Sequence, residues 1–323
     1  MRFPCPAANM TIFIDNNYMS LLRPHLTLRL ILVLLLTSLI TACSTVRFVY
    51  NQGDTLTYWW LDDHIGFNQE QEPFIRATLE RQFWWHRTEE LPAVSVTLDR
   101  IHKKVQKPLS KQEVLEFRAE LTKHAYKIAD QLIPDTAKLL SGLQASQIEN
   151  IQKRINKNNE KYRKEFPPED KAKQQKIRAD KIIKRTEWFY GSLNTSQENK
   201  IREFVAARPI DLELVYRERL RRQNDFITLC KDIQQNKLSH KASEALLKDY
   251  IKHFESGRSK DQQIFHKKWV ELGAETAAFI SQLMSPEQQA YAGNRIASWQ
   301  ADVQELIKDS SVLAAKKSAL LNR

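Results

Sequence analysis

Only 7 of the 323 residues are glycine, about a third of the ordinary usage. Glycine supplies the left-handed backbone of tight hairpins, bulges and phosphate-cradling loops, so a chain this poor in it has few ways to reverse a strand. Helical starts recur instead. A cap residue followed three positions later by Gln or Glu occurs at Asn68 with Gln71, Ser110 with Glu113, Asn194 with Gln197 and Ser285 with Gln288, where Pro286 takes the first helical position. Gln144 with Gln147 is a poorer version. The starts keep no fixed interval, which argues against a solenoid or propeller. Ile148, Ile151, Ile155, Tyr162 and Phe166 form one apolar stripe of helical period, and Ala292, Ile296, Trp299, Val303 and Leu306 form another. Pro92, Pro108, Pro134, Pro167 with Pro168, Pro209 and Gly257 should each end or kink a helix. The pattern predicts an all-α fold, an irregular multi-helix bundle of roughly eight to ten helices, several of them long, with short connections.

The N-terminus carries an address. Residues 30–42, LILVLLLTSLITA, are an apolar run of 13 behind Arg23 and Arg29, shorter than the roughly 20 residues of a membrane span and typical of a secretory signal. Ile40-Thr41-Ala42-Cys43 resembles the lipobox of bacterial lipoproteins. The resemblance implies cleavage between Ala42 and Cys43, a diacylglyceryl thioether on Cys43, and acylation of the new amino group, by palmitate for example. Two or more such chains anchor a protein stably where one does not. Ser44 behind the lipidated residue is similar to lipoproteins sorted to the outer membrane. The alternative is an ordinary cleaved signal, or an uncleaved anchor, with Cys43 a bystander. Met19 would open a signal of conventional length, whereas Asp15, Asn16 and Asn17 fit one poorly. The expected division is a signal peptide at 1–42, a lipidated N-terminus and tether at 43–54, and an all-α periplasmic domain at 55–323. Cys5 would leave with the signal and Cys43 would be acylated, so Cys230 has no disulfide partner in the mature chain. Its neighbours Phe226, Ile227 and Leu229 mark it as a small buried hydrophobe.

Four of the seven tryptophans lie in two short segments, Tyr58-Trp59-Trp60-Leu61-Asp62-Asp63-His64 and Phe83-Trp84-Trp85-His86-Arg87, the second followed by Glu89-Glu90-Leu91-Pro92. The favoured reading is a helix pair whose tryptophan rings fill the core while carboxylates face water and polar ring edges rest near the lipid interface. The competing reading is a site: Trp59, Trp60, Asp62, Asp63, Trp84, Trp85, His86 and Arg87 would form an aromatic and polar cluster. Asp62, Asp63, His64, His86, Glu89 and Glu90 would then serve as metal ligands or acid and base groups. No HExxH, CxxC or calcium-loop spacing accompanies them, so no metal or other cofactor is expected.

The lipobox, Val46-Arg47-Phe48-Val49-Tyr50-Asn51-Gln52, Trp60-Leu61-Asp62-Asp63, Trp85-His86-Arg87 and Glu90-Leu91-Pro92 together resemble an uncharacterised lipoprotein family of Gram-negative bacteria, a domain of unknown function. The resemblance carries localisation and helical character but no activity. Leu193-Asn194-Thr195-Ser196-Gln197 and Met284-Ser285-Pro286-Glu287-Gln288 are also similar to the LTxxQ motif of Spy-type periplasmic chaperones, a pattern that any good helix N-terminus shares.

The chain carries a formal charge of +11, and its densest basic run is 151–185. Lys153, Arg154, Lys157, Lys161, Arg163, Lys164, Lys171, Lys173, Lys176, Arg178, Lys181, Lys184 and Arg185 face Glu160, Glu165, Glu169, Asp170 and Asp180. An exported protein meets anionic lipid, lipopolysaccharide and acidic protein surfaces rather than nucleic acid, so this run is a candidate anionic-partner surface. The alternative is a solvated outer face of two helices around Pro167-Pro168. No nucleophile elbow, phosphate loop or dinucleotide fingerprint occurs. The expectation is a non-enzymatic lipoprotein anchored to the outer membrane through Cys43, with a helical periplasmic domain that binds an envelope component or serves as a scaffold. One alternative is a membrane-tethered chaperone for envelope proteins. The other is a metal-dependent or hydrolytic enzyme built on Asp62, His64 and His86.

Overall fold

Caps and amides at the helix ends organise this chain. The computed structural model describes residues 45–321, so Ala42, Cys43 and the signal segment lie outside the described residues. The helices are α1 (Thr45–Asn51), α2 (Gly53–Ile65), α3 (Glu72–Trp85), a π-helical turn (His86–Glu90), α4 (Leu91–Val105), α5 (Lys111–Ser141) and α6 (Ala145–Glu165). They continue with α7 (Lys171–Tyr190), α8 (Thr195–Ala206), α9 (Leu212–Gln235), α10 (His240–Phe254), α11 (Lys260–Leu283) and α12 (Pro286–Leu321). No strand occurs among the described residues, so the fold is all-α. None of these helices is long and apolar enough to cross a membrane.

Reciprocal capping boxes open α5 at Ser110 and Glu113, α6 at Gln144 and Gln147, and α8 at Asn194 and Gln197. Ser259 with Gln262 opens α11 the same way and was not read from the sequence. Four of the capping glutamines do more than cap. Gln71 Oε1 accepts from the Asn68 N–H (3.1 Å) and from Gln147 Nε2 (2.7 Å), while Gln71 Nε2 donates to the Gly142 carbonyl (2.8 Å) and to Gln147 Oε1 (3.1 Å). Gln147 returns the pattern, accepting from the Gln144 N–H (2.9 Å) and donating to the Gly66 carbonyl (2.8 Å). Gln197 and Gln288 repeat the arrangement. Their amides bond to each other (2.7 and 3.2 Å) and donate to the Leu283 and Ser192 carbonyls (2.9 and 2.7 Å). Each clasp fastens two helix N-termini to the two chain reversals that lead into them.

Beside each clasp lies a hydrophobic core. The first gathers Ile65, Ile133, Leu140, Ile148, Ile151 and Ile233 from α2, α5, α6 and α9, with Leu247 of α10 and the fully buried Cys230. Burial pushes the Cys230 thiol up to about 12, so it is an inert hydrophobe there. The second gathers Val105, Ile183, Ile201, Val205, Ile280 and Ile296 from α4, α7, α8, α11 and α12. A smaller cluster of Leu91, Val303 and Leu306 joins α4 to the middle of α12, with Tyr50 packed on it.

One proline does not end its helix. α5 runs through Pro134. The lost backbone bond is offset because Ile133, Ala137 and Leu140 around it are buried in the first core. At Pro92 the expected break takes the form of the π turn between α3 and α4, whose Leu91 N–H reaches back five residues to the His86 carbonyl. The extra residue relieves the clash that a proline ring makes with the carbonyl four positions earlier.

Gln147→Ala should lower stability by about 2 kcal/mol, since it strips partners from Gln71 and from the Gly66 carbonyl. In urea unfolding, Gln71→Ala combined with Gln147→Ala should cost about 1 kcal/mol less than the sum of the single changes. Strict additivity would show that the amides do not act as a pair.

Candidate functional site

The motif segments near the N-terminus converge on the π turn. The Tyr50 hydroxyl and His86 Nδ1 share a hydrogen bond at 2.7 Å, and Arg87 Nη2 donates to Asn51 Oδ1 at 2.6 Å with its guanidinium over the Tyr50 ring. Burial pushes Tyr50 up to about 12 and lowers His86, the charge of Glu90 only partly countering it. A neutral imidazole facing a protonated phenol is the state these shifts favour. Gly53 makes the approach of α2 to α3 possible, because a Cβ there would sit 2.3 Å from the Phe83 ring.

Tryptophans do not fill the core as expected. Trp59 and Trp60 are 58% and 59% exposed and Trp84 is 40% exposed, with only Trp85 half-buried. The core beneath them is already filled by Tyr58 and Ile65, so successive positions on α2 turn outward. The polar members are spent locally. Asp62 Oδ1 accepts from the Phe67 N–H (2.8 Å), His64 Nδ1 donates to the Trp60 carbonyl (2.7 Å), and Asp63 pairs with Arg154 of α6. Asp62, His64 and His86 therefore have separate partners. Among the described residues no group of three His, Cys, Asp or Glu side chains is placed to hold a metal.

Glu90, which closes the π turn, is fully buried. His124 Nδ1 donates to its Oε1 (2.5 Å), Lys127 Nζ lies 2.6 Å from its Oε2, and His124 Nε2 meets Thr97 Oγ1 at 2.9 Å. Burial alone would raise the Glu90 carboxyl, but the hydrogen bonds and charges of Lys127 and His124 outweigh it and hold the group below its ordinary value. The Thr97, His124 and Glu90 chain has the connectivity of a nucleophile relay, yet Thr97 is only 3% exposed. Its hydroxyl is closed to solvent, and the chain ties the π turn to α5.

The basic run occupies α6 and α7, on either side of Pro167 and Pro168. Four of its thirteen members are tied inward: Arg154 to Asp63, Arg163 to Glu213 (2.5 Å), Lys181 to Glu165 (2.7 Å), and Arg178 to the Val205 and Arg208 carbonyls (3.2 and 2.7 Å). Lys176 pairs with Asp180 at 2.7 Å. Lys153, Lys157, Lys161 and Lys164 are exposed along one stripe of α6, and no ion pair engages them among the described residues. Lys171, Lys173, Lys184 and Arg185 are exposed on α7 in the same condition.

A further feature was not read from the sequence. Between α6 and α9 on one side and α10 and α11 on the other lies a cleft of about 420 Å³. Tyr162, Phe226, Tyr250, Phe254 and Trp269 wall it, and Arg219 and Arg222 stand within it. It lies against the first core, on which Ile155, Phe226 and Tyr250 pack. The sequence signal was present as aromatic and arginine positions three or four apart on α9 and α11, but four helices must meet before they form a wall.

Residues 63–250 match the model of a family described as a family of unknown function (DUF6279). The match takes in the Trp85-His86-Arg87 and Glu90-Leu91-Pro92 segments, the basic run and α9. No curated protein and no solved structure matches the chain.

Glu90→Ala should destabilise the protein by about 3 kcal/mol in urea unfolding, because it leaves His124 and Lys127 without their acceptor. The sign of the pH dependence follows from a lowered carboxyl: its contribution is complete above the ordinary value of 4.5 and lost as pH falls through the lower folded value. The stability gap between the wild type and Glu90→Gln should accordingly shrink on acidification below about pH 4.5. A gap that widens there would reverse the assignment.

Proposed function

The chain belongs to the DUF6279 family, and from that premise we propose that it is a lipoprotein of the Gram-negative envelope. On this reading Cys43 holds it to the outer membrane and its helical periplasmic domain binds an envelope component without catalysing a reaction. The observation that carries the reading is the exposed apolar stripe of Val49, Leu56, Trp59 and Trp60, which begins six residues after Cys43. Tryptophan beside aliphatic residues on one helix face suits the headgroup boundary of a bilayer.

The attachment supports the same reading. Tyr50 and Asn51 are fixed to the π turn, so at most seven residues separate the lipidated position from the folded body. Fully extended they would reach about 25 Å. A domain on so short a lead stays at the membrane surface, where the unpaired lysines of α6 meet phosphate groups at low cost in search. The sealed Thr97 hydroxyl and the locally spent Asp62, His64 and His86 favour binding over hydrolysis.

In Gram-negative cells fed alkyne-palmitate, the full chain should take up label and Cys43→Ala should take up none. An unlabelled wild type would overturn the anchor. For the domain itself, exchange of Lys153, Lys157, Lys161 and Lys164 for Glu should reduce binding to vesicles containing anionic lipid at least tenfold at low salt. The wild-type affinity should fall steeply as salt rises. Salt-insensitive binding, unchanged by the four exchanges, would remove the lysine stripe from the contact.

A further inference from the structure

We propose that the cleft between α6, α9, α10 and α11 is a binding site for a small amphiphilic oxyanion, an acyl chain that ends in a carboxylate or phosphate. The site is separate from the lysine stripe and from the exposed tryptophans of α2, and the proposal holds whether or not Cys43 is lipidated.

Two arginines carry the charge argument. Arg219 spends its Nε on Asn159 Oδ1 (2.8 Å) and lies 5.4 Å from the centre of the Tyr162 ring, and among the described residues no side chain or carbonyl accepts from its two terminal nitrogens. Arg222 lies 5.2 Å from the centre of the Phe254 ring and makes one weak side-chain hydrogen bond, from Nη2 to the Glu255 carbonyl at 3.4 Å, while its Nε is shielded from solvent with no acceptor. A guanidinium offers five donors in a planar fork matched to carboxylate and phosphate, and most of these are unspent here. The carboxylates nearby are already engaged. Glu218 accepts from Arg221 Nε at 2.8 Å, and Glu255 pairs with Arg118 at 3.2 Å and lies 3.8 Å from His266. Burial lowers His266, the charge of Glu255 only partly opposing it, so the imidazole adds little positive charge of its own. The cleft therefore has an excess of donors and positive charge, and an acceptor-bearing anion is what it lacks.

The walls decide the body of the ligand. Phe226, Tyr250 and Ile155 present apolar surface on the side of the first core, and Trp269 and Phe254, 44% and 40% exposed, form a greasy rim. About 420 Å³ falls in the range of small-molecule sites. An apolar chain fills such walls without leaving polar atoms unpaired, whereas a peptide would carry backbone N–H donors into a lining whose acceptors, Glu218 and Gln223, are already engaged.

The test uses the full chain in lipid nanodiscs and three photoreactive probes of equal chain length: a diazirine dodecanoate, the matching dodecyl phosphate and the uncharged dodecanol. Adducts are mapped by mass spectrometry. At least one charged probe should label the α9, α10 and α11 walls five times more than dodecanol does. Dominance of the carboxylate would identify a free fatty acid as the source, and dominance of the phosphate a phospholipid headgroup. Arg222→Gln should cut charged labelling at least fivefold and leave dodecanol unaffected. Trp269→Ala, at the exposed rim and without consequence for the core, should reduce labelling by all three. Equal labelling by the three probes would overturn the proposal, as would adducts confined to α2, or displacement of a charged probe by an unfolded peptide but not by dodecanoate.

Discussion

Side-chain amides pairing across helix ends hold this architecture together. Every helix leaves backbone donors unmet at its first turn, and a chain with so few glycines has few compact turns in which to bury that debt. Gln71 with Gln147 and Gln197 with Gln288 meet it in pairs, each amide capping its own helix and the approach to its partner's. The positions of α3, α6, α8 and α12 follow from these clasps, and with them the placement of the two cores. The cleft and the lysine stripe are both consequences of where α6 starts and in which direction it runs.

Local signals were legible in the sequence and long-range ones were not. The capping residues at Asn68, Ser110, Asn194 and Ser285 lie three positions from their partners, so spacing alone reveals them. The same glutamines meet each other across 76 and 91 residues, and nothing in a helical period encodes that. Similarity of the four starts was visible, including the LTxxQ-like pair, but it read as generic capping because the reciprocal amide bond forms only in the folded chain. Pro134 lies inside a helix for the related reason that a local rule competes with burial, and there burial prevailed, whereas Pro92 does mark a break.

The candidate sites divide along the same line. Tyr50 and Asn51 and the His86 and Arg87 segment were recognised as motifs without a reason to belong together, and their hydrogen bonds now supply one. The tryptophans were assigned inward because large aromatic rings usually are, yet Tyr58 and Ile65 occupy the inward positions of α2 and leave Trp59 and Trp60 outside. The basic run was visible as a charge excess over 151–185, but which of its lysines stand free on one stripe of α6 and which arginines are tied inward only the packing decides. Glu90 stood in a recognised segment and the cleft's aromatic and arginine positions were visible on α9 and α11, but burial of the one and assembly of the other depend on side chains from separate elements meeting at one point.

Helix α5 is 31 residues long, about 46 Å at the helical rise, and it touches both walls of the cleft. Its last turns bury Ile133, Ala137 and Leu140 in the first core, while its first turn is pinned to α11 by Lys111 and Glu271 and Arg118 holds the end of α10. Fastened near its start by Lys111 and Arg118, at mid-length by His124 and Lys127 and at its end by the first core, this strut ties the helices on either side of the cleft to one frame. Whatever enters between α9 and α11 is accommodated by rotation of Trp269, Phe254 and their neighbours rather than by closure of one lobe on another. Entry should then be governed by side-chain rotamers, on the fast timescale of exposed rings rather than the slow one of domain motion.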